Sequence, residues 1–472
     1  MTTHINPAIE KAMQSVNAAI ARADADPTRP VYHFRPPALW MNDPNGPIYH
    51  NGWFHLFYQF NPYGDEWGHM HWGHARSRDW VHWEHLPIAL WPSLEQGEEH
   101  VFSGCAWHNG DGTPLLFYTS VKSGPKESRP PNEQWAARPL DEGLLTWEKH
   151  PDNPVLALAT HGGPAFDREW RDPFIFEESG RTFMVVGGDY DNVAGIALYE
   201  AVDSTLMHWR YHKLLYQAPR DQKRFLECPN FFKVDGKWIL IASPYNLLEY
   251  VVGSFDVDTL TFTPEQEGIL DPGKDDVPNF YASNILFDQA NRCVLMGWVR
   301  GFASERGWNG ALTLPRILTI GDDGHPRQQP HPELEQLRGR LTNFGVQYVY
   351  GYGELSQSFP NASLEIDAVV KLSGKSEAGI RLNGKRLVRY ETSGRLTVAG
   401  TEVALPLGAN GKLSLRIFID RSVLEVFAND GQVAVTRLID VTPGRCDLQV
   451  YADGQSCQVE RLKAWEMKSI WE

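Results

Sequence analysis

Between about Trp40 and Arg316 the apolar positions fall in short runs of aromatic and β-branched residues, each bounded by Gly, Pro, Asn or Asp. Examples are Trp53 to Phe60, Leu115 to Val121, Thr182 to Gly187, Trp238 to Ser243 and Val294 to Val299. Runs of this length between turn residues predict strands, and helical periodicity of useful length is nearly absent there. Several stretches share a plan: an acidic or polar turn, a strand, a turn such as Val234-Asp235-Gly236-Lys237, then an aromatic-rich strand. Units of this kind begin near Asp43, Phe102, Asp172, Glu227 and Phe280. Such repetition suits a five-bladed β-propeller with its inner strands around a central funnel, although the pattern alone leaves a sandwich open.

The flanks read differently. Before the repeats, Ile9, Met13, Val16, Ala19 and Ile20 recur at helical spacing and predict a short amphipathic helix packed on the body of the protein. Its acidic Glu10, Asp24 and Asp26 argue against a membrane-surface role. After them, Pro326 to Phe344 reads as a connector with a short helix. Strand-like runs return at Ser363 to Lys371, Leu387 to Thr392 and Leu413 to Ala428, and Asn429-Asp430-Gly431 supplies a hairpin turn. The expected division is a helical extension over 1–30, a propeller over 31–338 and a C-terminal β-sandwich over 339–472, an all-β protein with a short helical start.

Composition narrows the function classes. A chain of 472 residues exceeds what one compact core holds, so two domains are expected. Its 17 Trp, 17 Tyr and 22 Phe are too many to line one pocket; most must be core, and a few exposed rings would suit sugar stacking. A net charge of -15 argues against nucleic acid, and no uninterrupted apolar stretch of about eighteen residues is present to span a membrane. The start of the chain lacks the basic, apolar and small-residue order of an export signal. Cys105, Cys228, Cys293, Cys446 and Cys457 form no C-x-x-C, so free thiols in a cytoplasmic protein are expected.

The candidate chemistry lies in three acidic segments: Trp40-Met41-Asn42-Asp43-Pro44-Asn45-Gly46, Arg171-Asp172-Pro173 and Glu227-Cys228-Pro229. Each alone is an ordinary turn. Together they offer the nucleophile and acid/base carboxyls that cleavage of a glycosidic bond requires.

In this order, these segments resemble glycoside hydrolase family 32, the invertases, sucrose-6-phosphate hydrolases, inulinases and levanases. Phe57-Tyr58-Gln59, Trp67-Gly68, His71-Trp72-Gly73-His74, Ser77 to Trp83, Phe102-Ser103-Gly104, Phe280-Tyr281-Ala282, Trp308 to Arg316 and Leu415 to Phe427 extend the resemblance over nearly all of the chain beyond Val31. It implies a five-bladed β-propeller followed by a C-terminal β-sandwich. It also implies Asp43 as nucleophile, Glu227 as general acid and then base, and Asp172 as stabiliser of the transition state. Asn42 and Gln59 would hold fructose hydroxyls, Ser103 would add a hydroxyl, and Arg171 would orient a carboxylate and donate to the sugar. Trp67, Phe102 and Trp308 would wall the pocket. The family uses no cofactor and no catalytic metal, so His69, His71 and His74, whose spacing suits zinc, read as packing in a strand and turn. Asn279 before Phe280 and Asn230 after Glu227-Cys228-Pro229 depart from the aspartates that the family often has, both near the leaving-group side.

The expected activity is that of a retaining β-fructofuranosidase, an invertase, acting on terminal non-reducing β-D-fructofuranosides. Its partner would be a small saccharide: sucrose above all, then raffinose or short fructooligosaccharides, with fructosyl transfer as a side reaction. The segments Leu94 to Val101 and Gly124 to Pro131 are expected to narrow the funnel. Alternatives are a sucrose-6-phosphate hydrolase, a fructan-acting exo-fructosidase, a related propeller glycosidase acting on pentose polymers, and a non-catalytic sugar-binding protein. For the C-terminal domain, structural support is the expectation and sugar binding the alternative.

Overall fold

Asn6 caps a helix, Pro7–Asp24: its side-chain oxygen accepts from the Ala8 N–H at 2.9 Å, and Pro7 suits the first turn because no partner there needs its N–H. The computed structural model describes residues 6–471 apart from 126–127, 167–169, 192, 219–224, 276, 351–352 and 409–410. The helix buries Ile9, Ala12, Val16 and Ala23, with Met13, Ala19 and Ile20 partly covered, against the first blade. Among the described residues no helix is long and apolar enough to cross a membrane.

Five antiparallel sheets then follow in chain order, opening on the strands Leu39–His50, Glu98–His108, Arg171–Glu178, Glu227–Val234 and Phe280–Phe287. These are the inner strands of a five-bladed propeller, each packed against the next, and the fifth lies against the first. The short strand Trp308–Asn309 returns to pair in parallel with Leu39 and Trp40, which fastens the end of the ring to its beginning. Asn284 on the fifth inner strand donates to the carbonyls of Pro44 (3.3 Å) and Gly104 (3.2 Å), so one amide joins three blades.

Aromatic rings pack both within blades and between them. Phe231 stacks on Trp238 at 4.7 Å, and Phe176 of the preceding blade meets both rings edge-on at 5.1 and 5.3 Å. Offset and edge-to-face pairs of this kind add about 0.5–1.5 kcal/mol each to the apolar burial.

The remaining strands form a β-sandwich organised on two long strands, Ser363–Leu382 and Cys446–Met467, which pair along most of their length. Lys412–Asp420 and Val423–Ala428 form a hairpin, and Asn429-Asp430-Gly431 turns the chain into Val433–Leu438. The expected connector is more ordered than the sequence implied. Pro326–Pro330 is the outer strand of the fifth blade, Pro332–Leu337 is a 3₁₀ helix, and Arg338–Asn343 already belongs to the sandwich. Proline is tolerated at such an edge because the missing N–H faces no ladder partner.

Buried charges join the two domains. The Arg316 guanidinium, fully buried in the propeller, donates to Glu425 of the sandwich at 2.8 Å, to Asp271 at 3.1 Å and to Gln328 at 2.8 Å. Glu425 also accepts from the Leu314 N–H at 2.8 Å and faces His33 at 3.1 Å. Asp420 accepts from the backbone N–H groups of Val31, Tyr32 and His33, each at 2.8 Å, and from the His33 ring at 2.9 Å. Removing one member would leave an uncompensated buried charge, a loss of about 3–5 kcal/mol.

Histidine burial sets how stability depends on pH. Burial opposes charge on His33, but its bonds to Asp420 and Glu425 prevail and lift it from 6.5 to about 9; its contribution is complete below pH 6.5 and disappears as pH rises through 9. His55, His71 and His331 are pushed down to about 4 and His85 to about 3, burial being the main cause in each; their contribution holds above pH 6.5 and declines as pH falls towards 4. The unfolding temperature should therefore peak near pH 6.5 and fall more steeply on the acid side. His33→Gln should flatten the alkaline fall between pH 6.5 and 9 in thermal unfolding scans. An alkaline limb identical to wild type would remove His33 from the account.

Candidate active site

All five inner strands slip register at the same level. On each, three steps along the inner strand match two on its neighbour, between Met41 and Pro44, Val101 and Gly104, Arg171 and Phe174, Glu227 and Asn230, and Tyr281 and Asn284. This is a one-residue β-bulge, which breaks the in/out alternation and re-aims the side chains at the break. Asp172 (φ 66°), Cys228 (φ 47°) and Ala282 (φ 46°) lie in the left-handed region at the last three bulges. Pro173 and Pro229 stand within the third and fourth breaks, where the interrupted ladder leaves room for a residue without an N–H, and Pro44 closes the first. In the second, Gly104 is required because a Cβ there would meet the Phe117 carbonyl oxygen at 1.9 Å.

The first two bulges build the surroundings of Asp43. Trp40 Nε1 donates to Asn42 Oδ1 (2.8 Å), and Asn42 Nδ2 donates to Asp43 Oδ1 (3.0 Å). From the second blade, Ser103 Oγ donates to Asp43 Oδ2 at 2.6 Å, while Gln59 Nε2 of the first blade donates to Ser103 Oγ (3.3 Å) and to the Val101 carbonyl (3.1 Å). Both carboxylate oxygens are thereby held, and the side chain has a fixed direction. Burial raises the Asp43 carboxyl above its ordinary range, while the Ser103 and Asn42 bonds act in the opposite direction.

The third and fourth bulges supply the other two carboxylates. The Cys228 N–H, turned by its positive φ, donates to Asp172 Oδ2 at 2.9 Å, and the Cys228 thiol donates to Asp43 Oδ2 at 3.6 Å. One residue thus links all three acidic segments. Arg171 Nη2 donates to Glu227 Oε1 at 2.8 Å, its Nε lies 3.8 Å from Asp172, and its guanidinium covers the Phe225 ring at 4.1 Å. The opposite oxygen of Glu227 receives the Tyr281 hydroxyl at 2.7 Å, and that hydroxyl accepts from the Tyr245 N–H at 2.8 Å. Burial lifts Asp172 to about 7; Arg171 opposes the shift, and the charges of Glu227 and Asp43 add to it. The Asp172 carboxyl is therefore the one that several neighbouring carboxylates and burial together displace most clearly, against the pull of the Arg171 guanidinium.

Not every expected pocket residue lies on its wall. Trp67, 53% exposed, meets Phe102 edge-on at 6.1 Å and His100 at 5.1 Å, so it stands at the mouth with Phe102 below it. Gln59 is 2% exposed and both its donors are engaged, so it sits behind Ser103 and its Oε1 is what it could offer a sugar. Trp308 is a correction: it is fully buried, donates to Asp26 at 2.9 Å and packs on Phe302 at 4.9 Å, so it anchors the chain after the N-terminal helix rather than walling the pocket. His69, His71 and His74 do not converge: His71 bonds the His69 carbonyl, whereas His74 points into the core, stacked on Phe57 at 4.2 Å and bonded to His55 at 3.0 Å. Of the segments expected to narrow the mouth, Leu94–Gln96 is a single 3₁₀ turn, and 126–127 of the other lie outside the described residues.

Tyr281 and Tyr245 escaped the sequence reading as site residues. Tyr281 was visible in Phe280-Tyr281-Ala282, a segment at the start of an inner strand; Tyr245 follows Ser243-Pro244 with no local signal. Its hydroxyl, which accepts from Arg171, can be located only in three dimensions.

Residues 33–330 match the glycosyl hydrolases family 32 N-terminal domain, and residues 333–466 match the family 32 C-terminal domain. The chain is 32% identical to a levanase of Bacillus subtilis, over 97% of this chain and 73% of that protein, and 30% identical to a sucrose-6-phosphate hydrolase of Escherichia coli, over 93% and 94%. A family 32 beta-fructofuranosidase of Bombyx mori superposes with a TM-score of 0.82 at 27% identity, covering 98% of each chain. A variant of that insect enzyme has been solved in complex with sucrose. With both domains matched and the bulged strands converging on Asp43, Asp172 and Glu227, this chain belongs to glycoside hydrolase family 32 and is a β-fructosidase that hydrolyses fructosides.

Proposed function

We propose that the protein is a retaining β-fructofuranosidase that releases the terminal fructose of sucrose and comparably small fructosides. The observation that carries this reading is the opposed support of two carboxylates: Asp43 is held by Ser103 and Asn42, Glu227 by Arg171 and Tyr281. Asp43 attacks the fructosyl C2 while Glu227 delivers its proton to the glycosidic oxygen, so the C2–O bond breaks and glucose leaves. Glu227, now a carboxylate, takes a proton from water; the oxygen bonds to C2, and Asp43 is released with fructose. Asp172, fixed by the Cys228 N–H and faced by Arg171, holds fructose hydroxyls more strongly as oxocarbenium charge develops. When a sugar hydroxyl replaces water, the same intermediate gives fructosyl transfer.

Asp43→Ala and Glu227→Ala should each lower kcat on sucrose by about three orders of magnitude or more, with unchanged thermal unfolding, since each removes a reacting group. Azide should partly rescue Glu227→Ala, giving fructosyl azide, because a small anion attacks the intermediate without a base. Near-normal turnover by either variant would remove that residue from the mechanism.

Asp43 reacts ionised, so its raised pKa sets the acid limb of kcat/KM above the ordinary aspartate value of 3.8. The Ser103 bond lowers that pKa, so Ser103→Ala should raise it and move the acid limb to higher pH, in addition to reducing the rate. A pH–rate profile with an unmoved limb would contradict the assignment of Asp43.

A further inference from the structure

Each oxygen of the Glu227 carboxyl has a partner, and a single residue reaches both partners. Tyr245 lies just beyond the strand Lys237–Ser243, in the turn Ser243-Pro244-Tyr245-Asn246. Its hydroxyl accepts from Arg171 Nη2, the same atom that donates to Glu227 Oε1. Its backbone N–H donates at 2.8 Å to the Tyr281 hydroxyl, which donates to Glu227 Oε2. The side chain and backbone of Tyr245 thus close a loop of hydrogen bonds that runs through Arg171, both oxygens of Glu227 and Tyr281. The Ser243 carbonyl, at the start of the same turn, lies 3.0 Å from the Tyr281 hydroxyl, so the turn meets that hydroxyl with an acceptor and a donor.

Packing does not call for a tyrosine here. Tyr245 has φ 63°, left-handed backbone directly after a proline, where Gly or Asn is the usual choice. Trp80 has similar backbone (φ 71°), but it is 3% exposed and packs on Phe54 at 4.5 Å, so burial offsets its strain. Tyr245 is 59% exposed, and the Phe225 ring is 6.5 Å from its own. A strained, exposed aromatic residue bonded to two groups of a catalytic site is placed for function rather than for the core.

We infer that Tyr245 is a positioning residue for the general acid: it holds Arg171 and Tyr281 in register about Glu227 and so fixes the direction in which the carboxyl proton reaches the leaving group. This rests on the fructosidase reading above and deepens it. In the first step the C2–O bond breaks and the Glu227 proton passes to the departing oxygen; Tyr245 gives up no proton and forms no bond to the sugar. Its effect is confined to substrates whose leaving group needs that proton. The glucosyl oxygen of sucrose needs it, whereas fluoride departs from C2 as the anion without one.

The test compares kcat/KM, which reports the steps through departure of the leaving group, for sucrose and for β-D-fructofuranosyl fluoride in wild type, Tyr245→Phe and Tyr245→Asn. Both variants keep the backbone N–H and lose the hydroxyl, and asparagine also suits the left-handed backbone. In each, kcat/KM on sucrose should fall about tenfold, the rate equivalent of one hydrogen bond, while the value on the fluoride should change by less than about threefold. An equal fall on both substrates would make Tyr245 a general support of the pocket, and unchanged activity on sucrose would remove it from proton delivery; either result overturns the inference. If wild type cleaves neither substrate, the fructosidase reading fails and the inference fails with it.

Discussion

The structure turns on one repeated backbone irregularity, a bulge at the funnel end of every inner strand. A regular strand alternates its side chains between faces, and one residue in two would point away from the axis. The extra residue breaks that alternation where the blades converge. Asp43, Ser103 and Asp172 stand within these breaks, and Glu227 and Tyr281 stand at their edges. Left-handed backbone at Asp172 and Cys228 is strained, at a cost of about 1–3 kcal/mol each, and persists because the neighbouring blades hold it. Asn284, bonded to carbonyls on the first and second inner strands, and the Cys228 N–H, bonded to Asp172, are two of those constraints.

Rigidity matters here because the site concentrates like charge. Asp43 and Asp172 are both displaced upwards by burial, and Arg171 is the cation that touches Glu227 and faces Asp172. In a loose pocket these carboxylates would separate and hydrate; in a fixed one they are kept together. The sandwich contributes at a distance. Glu425 and Asp420 neutralise Arg316 and His33 and tie the fifth blade and the approach to the first strand to one sheet, so the ends of the ring stay closed. Its role in this account is structural support.

Much of this was legible in the chain because it is written in local chemistry. Turn-bounded aromatic runs gave the strands, and the Asp-Pro and Cys-Pro steps, which read locally as turns, lie at three of the bulges. What could not be read depends on partners distant in sequence. Trp308 looks like any pocket tryptophan until its N–H is found on Asp26, 282 residues away. Gln59 has a sugar-binding amide by type, but the Val101 carbonyl and Ser103 occupy its donors. Tyr245 comes to Arg171 through a turn with no distinctive pattern. Prolines suggested a connector at Pro326–Pro330, where an edge strand tolerates them.

The central claim is that the bulged strands hold Asp43 and Glu227 on opposite sides of a fructosyl C2 for double displacement. Its most direct measurement is the anomeric configuration of the product when sucrose is cleaved in aqueous methanol, read by NMR before mutarotation or secondary hydrolysis. The account predicts methyl β-D-fructofuranoside, the configuration of the bond that was broken. Methyl α-D-fructofuranoside would contradict it, since a single inverting displacement would then be using the same carboxylates.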